Sequence, residues 1–506
     1  MIQLLDVNGL SVSYGQPTPA VSDISFSILP GEAVALVGPS GSGKSSCASA
    51  LLGLLPQREA RVRGEARYQL KNGGAVELIG AGPSELRGIR GREIGMIFQE
   101  PAAALNPVLT CGHQLRETIS RLRPDRVDSQ TYFDDLLSQV ELDAIRGRLL
   151  TAMPGQLSGG QLQRLMIAMA LAGQPRLLIA DEPTTALDSI TELEIVRLLD
   201  SLRRDHNMGL LFITHDQGLI RRVTDRSVTL SGGSTVVQPT SRRRSPTTRA
   251  PQPAGPKQPL VEVRSLSIRF ADSAAGESAV TDCSFTIQEG EWMGLIGPSG
   301  CGKSTVANWL TGLRLATAGE IVREGKTYPA TSSPQQVRHL VGGQMIFQDV
   351  YGSLNPRLSV RYAVREALPG RCPKQVDELL AAVGLSPDRY ARLRPHQLSG
   401  GERQRLAIAR ALAADPRVLI CDEALSGLDI PLREEVLSVL KRVCTERGIG
   451  VLLITHDLEL ARKATDWLLL MEAGQIVERG PVEKILSNPD SELGHRLVAT
   501  LRLRQQ

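Results

Sequence analysis

Two short glycine-rich segments, GPSGSGKSS at 38–46 and GPSGCGKST at 297–305, carry residue types that can hold a phosphate chain. Both match the pattern GxxxxGK[ST], and each follows a short apolar run that predicts a β-strand. In such a loop, backbone N–H groups surround phosphate oxygens, the lysine reaches the β- and γ-phosphates, and the next hydroxyl contacts Mg²⁺. A glycine-rich turn with a purely structural role would explain neither the lysine nor the preceding strand. The chain therefore contains two predicted phosphate sites.

Each residue of these loops has a counterpart in the other loop. The predicted phosphate or nucleotide contacts are Gly38, Ser40, Gly41, Gly43, Lys44, Ser45 and Ser46 in the first loop, and Gly297, Ser299, Gly300, Gly302, Lys303, Ser304 and Thr305 in the second. Ser45 and Ser304 are also predicted metal ligands, because their hydroxyls follow the lysine.

Acidic residues close a hydrophobic run in both halves. Asp181 ends LLIAD and Asp422 ends VLICD, the position at which a carboxylate can hold Mg²⁺. Glu182 and Glu423 come next, where a carboxylate could orient a water and accept its proton as it attacks the γ-phosphate. A paired surface acid is a poor alternative after four apolar residues. We predict metal binding for the aspartates and a catalytic role for the glutamates.

Further polar side chains recur at matched positions. Gln99 and Gln348 offer an amide oxygen to the metal or to the attacking water, and His215 and His456 could hydrogen-bond the γ-phosphate. A single histidine is usually structural, but two at the same spacing favour a catalytic role.

The motifs occur in the same order in both halves, which indicates a duplicated domain. The matched segments include MIFQE (96–100) with MIFQD (345–349), LSGGQLQRLMIAMAL (157–171) with LSGGERQRLAIARAL (398–412), and LLFITHD (210–216) with LLITHD (452–457). Ser158 to Glu182 and Ser399 to Glu423 are both 24 residues apart, which predicts one fixed geometry. The intervals between lysine and glutamine differ, so those insertions should lie at the periphery.

Short apolar strands alternate with helical patterns, which predicts an α/β fold in each half. Ala33–Val37 and Leu177–Ala180 are such strands, and they end at glycine or carboxylate residues. After each LNP segment, apolar residues at i, i+3, i+4 and i+7 predict a helix that packs into its own domain. The two stripes are Phe133, Leu136, Leu137 and Val140, and Val376, Leu379, Leu380 and Val383.

Composition predicts the domain boundaries and excludes several protein classes. We predict one domain at 1–239, a linker at 240–259 and a second domain at 260–506. The linker holds five prolines, five basic residues and no acid, which is typical of an extended spacer rather than of a lipid or nucleic-acid contact. Without it, the net charge changes from +4 to −1. Aromatic residues make up only 3%, so we expect no nucleic-acid partner.

The apolar runs and the cysteines point to a cytoplasmic protein. No run approaches the roughly 18 apolar residues of a membrane span, and no secretory signal is apparent at the N-terminus. The seven cysteines form no CxxC pair, so free thiols are expected. Cys301 lies inside the second glycine loop at a predicted helix N-terminus, where a thiol pKa tends to fall. We predict that its alkylation blocks one site and that MgATP protects it.

LSGGQ and LSGGE each place a serine hydroxyl and glycine N–H groups at a predicted helix N-terminus, which forms an anion site. With the motifs above, they make the chain resemble the nucleotide-binding domains of ABC transporters. The resemblance implies two tandem P-loop domains, each with a helical subdomain, that use ATP and Mg²⁺. It also implies composite sites, in which the LSGGQ of one domain closes over the nucleotide of the other. Ser399 and Gly401 would complete the first site, and Ser158 and Gly160 the second.

The resemblance implies further roles. Tyr14 and Phe270 align ahead of the loops, where the family stacks an aromatic ring on adenine; a plain strand aromatic is the alternative. Asp188 and Asp429 match the interface loop that links the two sites.

FQEPAAALNPVLT (98–110) and FQDVYGSLNPRLS (347–359) resemble the ATPases of bacterial importers for dipeptides, oligopeptides, nickel and metallophores. There two ATPases usually pair; here a D-type and an F-type partner look fused. The resemblance implies two integral-membrane permeases, a solute-binding protein, and peripheral association with the cytoplasmic face of the inner (plasma) membrane. It also implies that the residues after each glutamine receive the permeases.

The sequence departs from this family in one respect, and it leaves alternatives open. The first half stops soon after His215, without the usual C-terminal extension or cysteine cluster, and the second half has a loose version at 488–501. A soluble twin ATPase acting on ribosomes is the alternative, although a longer, helical, charged linker would then be expected. A DNA-repair ATPase would carry zinc-binding cysteine pairs or a coiled-coil insertion, and an exporter would carry fused membrane spans. The transported solute is not encoded in these motifs.

Overall fold

The computed structural model describes residues 3–15, 19–39, 41–56, 58–185, 187–214, 224–231, 234–239, 259–270, 278–368, 373–425, 428 and 430–505. The chain divides into two compact units, one mostly within Met1–Ser245 and the other mostly within Pro246–Leu503. Apart from Pro259, the linker predicted at 240–259 lies outside the described residues. The two predicted boundaries, at 239/240 and 259/260, therefore stay a prediction.

The first half alternates strands and helices along the chain. Its strands are β1 (Leu5–Ser13), β2 (Val21–Ile28), β3 (Ala33–Val37), β4 (Arg61–Gln69), β5 (Ala75–Glu77), β6 (Ile94–Ile97), β7 (Leu177–Asp181), β8 (Gly209–Thr214), β9 (Arg226–Ser231) and β10 (Ser234–Pro239). Its helices are α1 (Lys44–Leu51), α2 (Pro83–Ile89), α3 (Pro101–Ala104), α4 (Cys111–Leu122), α5 (Gln130–Gln139), α6 (Arg146–Thr151), α7 (Gly159–Leu171) and α8 (Ser189–Asp205).

The second half repeats this order. Its strands are β11 (Pro259–Arg269), β12 (Ser278–Gln288), β13 (Trp292–Ile296), β14 (Ala318–Arg323), β15 (Lys326–Pro329), β16 (Gly343–Ile346), β17 (Val418–Asp422), β18 (Gly450–Ile454), β19 (Trp467–Glu472) and β20 (Gln475–Pro481). Its helices are α9 (Lys303–Leu310), α10 (Pro334–Val341), α11 (Val350–Ser353), α12 (Val360–Ala367), α13 (Pro373–Ala382), α14 (Pro387–Tyr390), α15 (Gly400–Ala413), α16 (Ile430–Glu446), α17 (Leu458–Ala464), α18 (Val482–Ser487) and α19 (Glu492–Gln505).

Within the described ranges, each half has an antiparallel sheet of four strands and a mainly parallel sheet of six. The order in the first half is β2-β1-β4-β5 and β10-β9-β3-β8-β7-β6, and the second half has the matching orders β12-β11-β14-β15 and β16-β17-β18-β13-β19-β20. Every residue of β3 and β7 is buried, as expected for parallel strands covered on both faces. The α/β prediction is confirmed, and both strands predicted within the first half are present.

The helices between the glutamine and the LSGGQ or LSGGE segment pack as the apolar stripes predict. Phe133, Leu136 and Leu137 on α5 are at most 2% exposed. In the second half Val376 and Leu380 on α13 are fully buried, in one core with residues of α12 and α15. These stripes therefore stabilise their own domains.

Two further features of the described residues concern membrane spans and cysteines. In the part that the structure describes, no helix is both long and apolar enough to cross a membrane. The six cysteines in that part are free and buried.

Two candidate nucleotide sites

The parallel sheet brings the predicted site residues of each half to one edge. In the first half β3, β8, β7 and β6 are neighbours, and all four run parallel. Because the carboxyl ends of parallel strands meet at the same edge, the glycine loop after β3 lies beside the residues that follow the other three strands. Gln99 follows β6, Asp181 ends β7, and His215 follows β8. His215 itself lies outside the described residues, as do Ser40 and Asp429.

The glycine loops need glycine where each helix begins. Gly43 and Gly302 have φ values of 90° and 109°, a region that residues with a Cβ rarely adopt. A Cβ on Gly43 would lie 2.5 Å from the carbonyl oxygen of Ala20, and one on Gly302 would lie 2.4 Å from that of Ala279. These turns direct the first N–H groups of α1 and α9 toward the loop.

The two lysines are held over their own loops. Lys44 Nζ donates to the carbonyl oxygens of Gly38 at 2.9 Å and Pro39 at 3.1 Å. Lys303 makes the matching bonds to Gly297 and Pro298 at 2.7 and 2.8 Å. Burial lowers the pKa of Lys44, and the nearby carboxylates of Glu182 and Asp181 oppose that shift. Each ammonium is therefore fixed in the loop that is predicted to hold phosphate.

The predicted metal ligands form an oxygen-only pair in each half. Ser45 Oγ donates to Asp181 Oδ1 at 3.0 Å. Ser304 hydrogen-bonds Asp422, whose other oxygen, Oδ1, is buried and has no hydrogen-bond partner among the described residues. Burial raises the pKa of both aspartates. Hydroxyl and carboxylate oxygens are the ligands that Mg²⁺ prefers, and a cation would supply the missing partner of Asp422, so these residues fit the metal.

The two glutamates occupy the same strained position. Glu182 and Glu423 have φ values of 45° and 48°, which is uncommon for residues other than glycine. Their N–H groups donate to Ile213 in β8 and Ile454 in β18 at 2.9 and 3.0 Å, so the sheet fixes this backbone. Such strain often marks a functional position, and it directs each side chain to the edge where the glycine loop lies.

Each glutamate carboxylate accepts a hydrogen bond from the glutamine of its own half. The distance from Gln99 Nε2 to Glu182 Oε2 is 3.1 Å, and from Gln348 Nε2 to Glu423 Oε2 it is 3.0 Å. Thr185 Oγ1 also donates to Glu182, at 3.1 Å. The structure therefore brings together residues that are 83 and 75 positions apart in sequence.

His456 contacts the glutamate of its own half. Its Nδ1 lies 3.4 Å from Glu423 Oε1. This hydrogen bond lowers the pKa of Glu423 against the effect of burial, with a further contribution from Lys303. The carboxylate is thus held in its ionised form, which is the form that can accept a proton.

The serines of LSGGQ and LSGGE begin a helix. Ser158 Oγ accepts from the Gln161 N–H and Ser399 Oγ from the Glu402 N–H, both at 3.3 Å. The side chains of Gln161 and Glu402 bond back to the serine N–H groups, which completes a capping box. Both serines are exposed. Gly160 and Gly401 lie against side chains of the next long helix, where a Cβ would come within 2.6 and 2.5 Å.

The aromatic residues ahead of the loops differ in their contacts. Tyr14, 37% exposed, shares a 2.9 Å hydrogen bond with the Ser46 hydroxyl, so its ring is tied to the first turn of α1. Phe270 is 44% exposed and lies under the guanidinium of Arg314.

The expectation for Cys301 is wrong in one respect. Its side chain is 7% exposed, and burial raises the pKa of the thiol although Lys303 opposes the shift. Desolvation of the thiolate therefore outweighs the helix N-terminus and the nearby ammonium.

Sequence reasoning missed several residues that support these sites. Thr185 holds Glu182, Arg314 covers Phe270, and Gln114 on α4 holds the LNP loop. Thr185 lies three residues after Glu182, and this short spacing is a signal in the sequence. For the other two the sequence carries no signal, because their partners are distant or depend on side-chain packing.

Comparison with known proteins shows the family of the chain. The family model described as ABC transporter matches residues 21–185 and 280–426. The glutathione import ATP-binding protein GsiA of Salmonella choleraesuis (strain SC-B67) is 36% identical over 98% of this chain and 89% of its own length. GsiA of Escherichia coli (strain K12) is 35% identical with the same coverage, and that of Pectobacterium atrosepticum is 35% identical over 99% of this chain and 89% of its own.

The duplicated fold, the two glycine loops and the family match define an ATP-hydrolysing protein with two nucleotide-binding cassettes. The chain belongs to the ABC transporter family and resembles the ATPases of importers of the dipeptide, oligopeptide and nickel type.

Proposed function

We propose that the chain hydrolyses ATP at two composite sites to drive import of a peptide-like solute. Each site combines the glycine loop of one half with the LSGGQ or LSGGE segment of the other. The observation that carries the proposal is that one geometry occurs twice. In each half the lysine lies on two loop carbonyls, and the glutamine amide lies about 3 Å from the glutamate.

The glutamates supply the general base. Glu182 or Glu423 accepts a proton from a water as that water attacks the γ-phosphate, and the products are ADP and inorganic phosphate. Gln99 and Gln348 position these carboxylates through the hydrogen bonds described above. His456, and His215 in the first half, bond the γ-phosphate. An ionised Glu423 at neutral pH is consistent with this role.

The remaining residues bind the nucleotide. Lys44 and Lys303 contact the β- and γ-phosphates together with the loop residues Gly38, Ser40, Gly41, Gly43, Ser45, Ser46, Gly297, Ser299, Gly300, Gly302, Ser304 and Thr305. Tyr14 and Phe270 stack on adenine. Ser399 and Gly401 complete the first site, and Ser158 and Gly160 the second, where exposed serines at helix N-termini suit phosphate.

Ser45 with Asp181, and Ser304 with Asp422, would hold Mg²⁺, with an amide oxygen available from Gln99 or Gln348. When bound, the cation would neutralise charge on the phosphate oxygens.

We propose that two permeases dock on the surface after each glutamine. Exposed apolar side chains follow both glutamines: Val108 is 74% exposed, and Tyr351 and Tyr362 are 50% and 56% exposed. Phe98 and Phe347, directly before the glutamines, are 42% and 36% exposed. Clustered apolar exposure of this kind favours a protein contact. The complex then lies at the cytoplasmic face of the inner membrane and works with a solute-binding protein.

The solute class follows from the relatives. The relatives compared above are named for import of glutathione, a peptide-like molecule, which favours a peptide over nickel or a metallophore for this chain. The alternative, an ATPase acting on ribosomes, gains no support from them.

Affinity purification from detergent-solubilised native membranes tests this proposal. We expect two polytopic permeases and a solute-binding protein in the eluate, and tighter binding of glutathione or short peptides than of Ni²⁺ to that binding protein. Recovery of ribosomes, or of no membrane partner, would contradict the importer assignment and leave the ATPase chemistry standing.

A further inference from the structure

Arg314 makes a contact in the second half that has no equivalent in the first. It lies between α9 and β14, and its guanidinium carbon is 4.4 Å from the centroid of the Phe270 ring. A cation over an aromatic face at this distance is attracted by the ring electrons. Within the described ranges the Arg314 guanidinium has no carboxylate or carbonyl partner, and it lies over the Phe270 ring.

The first half fixes the matching ring differently. Tyr14 aligns with Phe270, and its hydroxyl bonds Ser46 at 2.9 Å. The residue at the position of Ser46 is Thr305, which also has a hydroxyl, but Phe270 has none to pair with it. The residue at the position of Arg314 is Leu55, a partly buried core residue. The pair of hydroxyls in one half is thus replaced by an arginine and a phenyl ring in the other.

We propose that Arg314 is a positioning residue for the nucleotide base at the second site. It holds the Phe270 ring by a cation–π contact, as the Ser46 bond holds Tyr14. The inference rests on the proposed stacking of adenine on these rings. Phe270 is 44% exposed, so its side chain can change rotamer unless a neighbour holds it. A side chain that is already fixed loses less conformational entropy when a base stacks on its ring.

The second site can be tested alone in the full-length chain carrying Lys44→Ala, which removes phosphate binding at the first loop. In this parent we would measure the Kd of MgATP and of inorganic tripolyphosphate, which lacks a base. Arg314→Leu copies the first half, and we expect it to raise the Kd of ATP about two- to fivefold and leave that of tripolyphosphate unchanged. Arg365→Leu is the matched control, since Arg365 lies 5.8 Å from another exposed ring, Tyr362.

A rescue variant separates positioning from general packing. Phe270→Tyr combined with Arg314→Leu copies the Tyr14–Ser46 pair of the first half, with Thr305 in the place of Ser46, and we expect the Kd of ATP to return to that of the parent. Four results would overturn the inference: an unchanged or tighter Kd of ATP in Arg314→Leu, an equal loss for tripolyphosphate, an equal effect of Arg365→Leu, or failure of the rescue. If the parent bound no ATP at all, the proposed second nucleotide site would itself be wrong, and the inference would fall with it.

Discussion

Each half places its motif residues on the corresponding edge of its own parallel sheet. The two halves nevertheless hold the loop after the glutamine by different side chains. In the first half Gln114 on α4 is only 6% exposed. Its amide accepts from Asn106 N at 2.9 Å and donates to the carbonyls of Asn106 and Leu109 at 3.0 Å. One buried side chain therefore fixes the LNP turn.

In the second half the position of Gln114 holds Ala363, which cannot make these bonds. Arg410 on α15 instead donates to the carbonyl of Ser353, just ahead of the LNP turn. The first half has Met169 at the position of Arg410. The LNP loop is therefore held by a side chain of α4 in the first half and by one of α15 in the second.

This difference shows which residues each half is free to change. The lysines, the serines that follow them, the aspartates, the glutamates and the glutamines predicted to act on phosphate, metal or water are the same in both halves. In the proposed mechanism each of them must present a given atom at a given place. The supporting side chains differ, because any buried donor that reaches a loop carbonyl can hold the loop. The rings of Tyr14 and Phe270 follow the same rule, with two different supports.

Loss of one of the two glutamate carboxylates proposed as general bases should have the largest effect. We expect Glu182→Gln or Glu423→Gln, each made alone, to lower ATP turnover at the altered site about 1,000-fold, because a general base contributes roughly 10²–10⁴. Binding of ATP should persist. The measurement is steady-state ATPase of the membrane complex with parallel nucleotide binding.

Two exposed glutamates, one in each half, provide controls for the Glu182→Gln and Glu423→Gln variants. Glu85→Gln and Glu366→Gln should leave turnover unchanged. Near-normal hydrolysis in either active-site variant would show that its site is idle, and the functional equivalence of the two halves would be lost.

Removal of the histidine should affect both the proposed γ-phosphate contact and Glu423. In His456→Ala we expect ATP turnover at the second site to fall about 100-fold, since a donor aimed at developing charge is worth roughly 10²–10³. The pKa of Glu423 should also rise, because the hydrogen bond that lowers it is gone while burial remains. A base works above its pKa, so the acid limb of the pH–rate profile should move to higher pH.

Exposed His339 supplies the control, and His339→Ala should keep the normal profile. An unshifted acid limb in His456→Ala would show that His456 does not lower the pKa of Glu423, contrary to the hydrogen bond described for this site.

The supports of the LNP loops should affect stability rather than chemistry. Gln114→Ala removes three hydrogen bonds around a buried amide, and we expect a loss of about 1–3 kcal/mol in the free energy of unfolding. Denaturant unfolding followed by circular dichroism measures it. Arg410→Met, which copies the first half, should be destabilising as well. As the control, Gln130→Ala at an exposed position should lower the free energy of unfolding by less than about 0.5 kcal/mol. Equal losses in Gln114→Ala and Gln130→Ala would show that Gln114 does not specifically support the loop.

The smallest effect is expected at Cys301. Cys301→Ser copies Ser42 of the first loop and should keep ATPase activity within about twofold, because the two side chains are nearly isosteric. Burial raises the pKa of the thiol, so alkylation should be slow at pH 7 and faster at higher pH, where more thiolate forms. MgATP should protect it. Rapid labelling at neutral pH would contradict the buried position, and unchanged ATPase after complete labelling would contradict its place in the second site.

Much of the fold could be predicted from the sequence, because local patterns specify local structure. The glycine loops, the apolar strands and the helical stripes each depend on neighbours within about ten residues, and each was found where its pattern placed it. The repeat of motif order predicted two copies of one α/β fold, which the matching sheet orders confirm. The roles of the site residues remain proposals, but the sequence did select the side chains that meet at the sheet edge.

The tertiary structure alone decided how those side chains are held. Whether the pKa of the Cys301 thiol falls or rises depends on burial set by β12, β13 and α9, which its flanking residues do not reveal. Which side chain supports each LNP loop, and what faces the Phe270 ring, depend on groups between 8 and 57 positions away. Short-range sequence patterns determine which atoms do the chemistry; the packing of distant segments determines their protonation and their position.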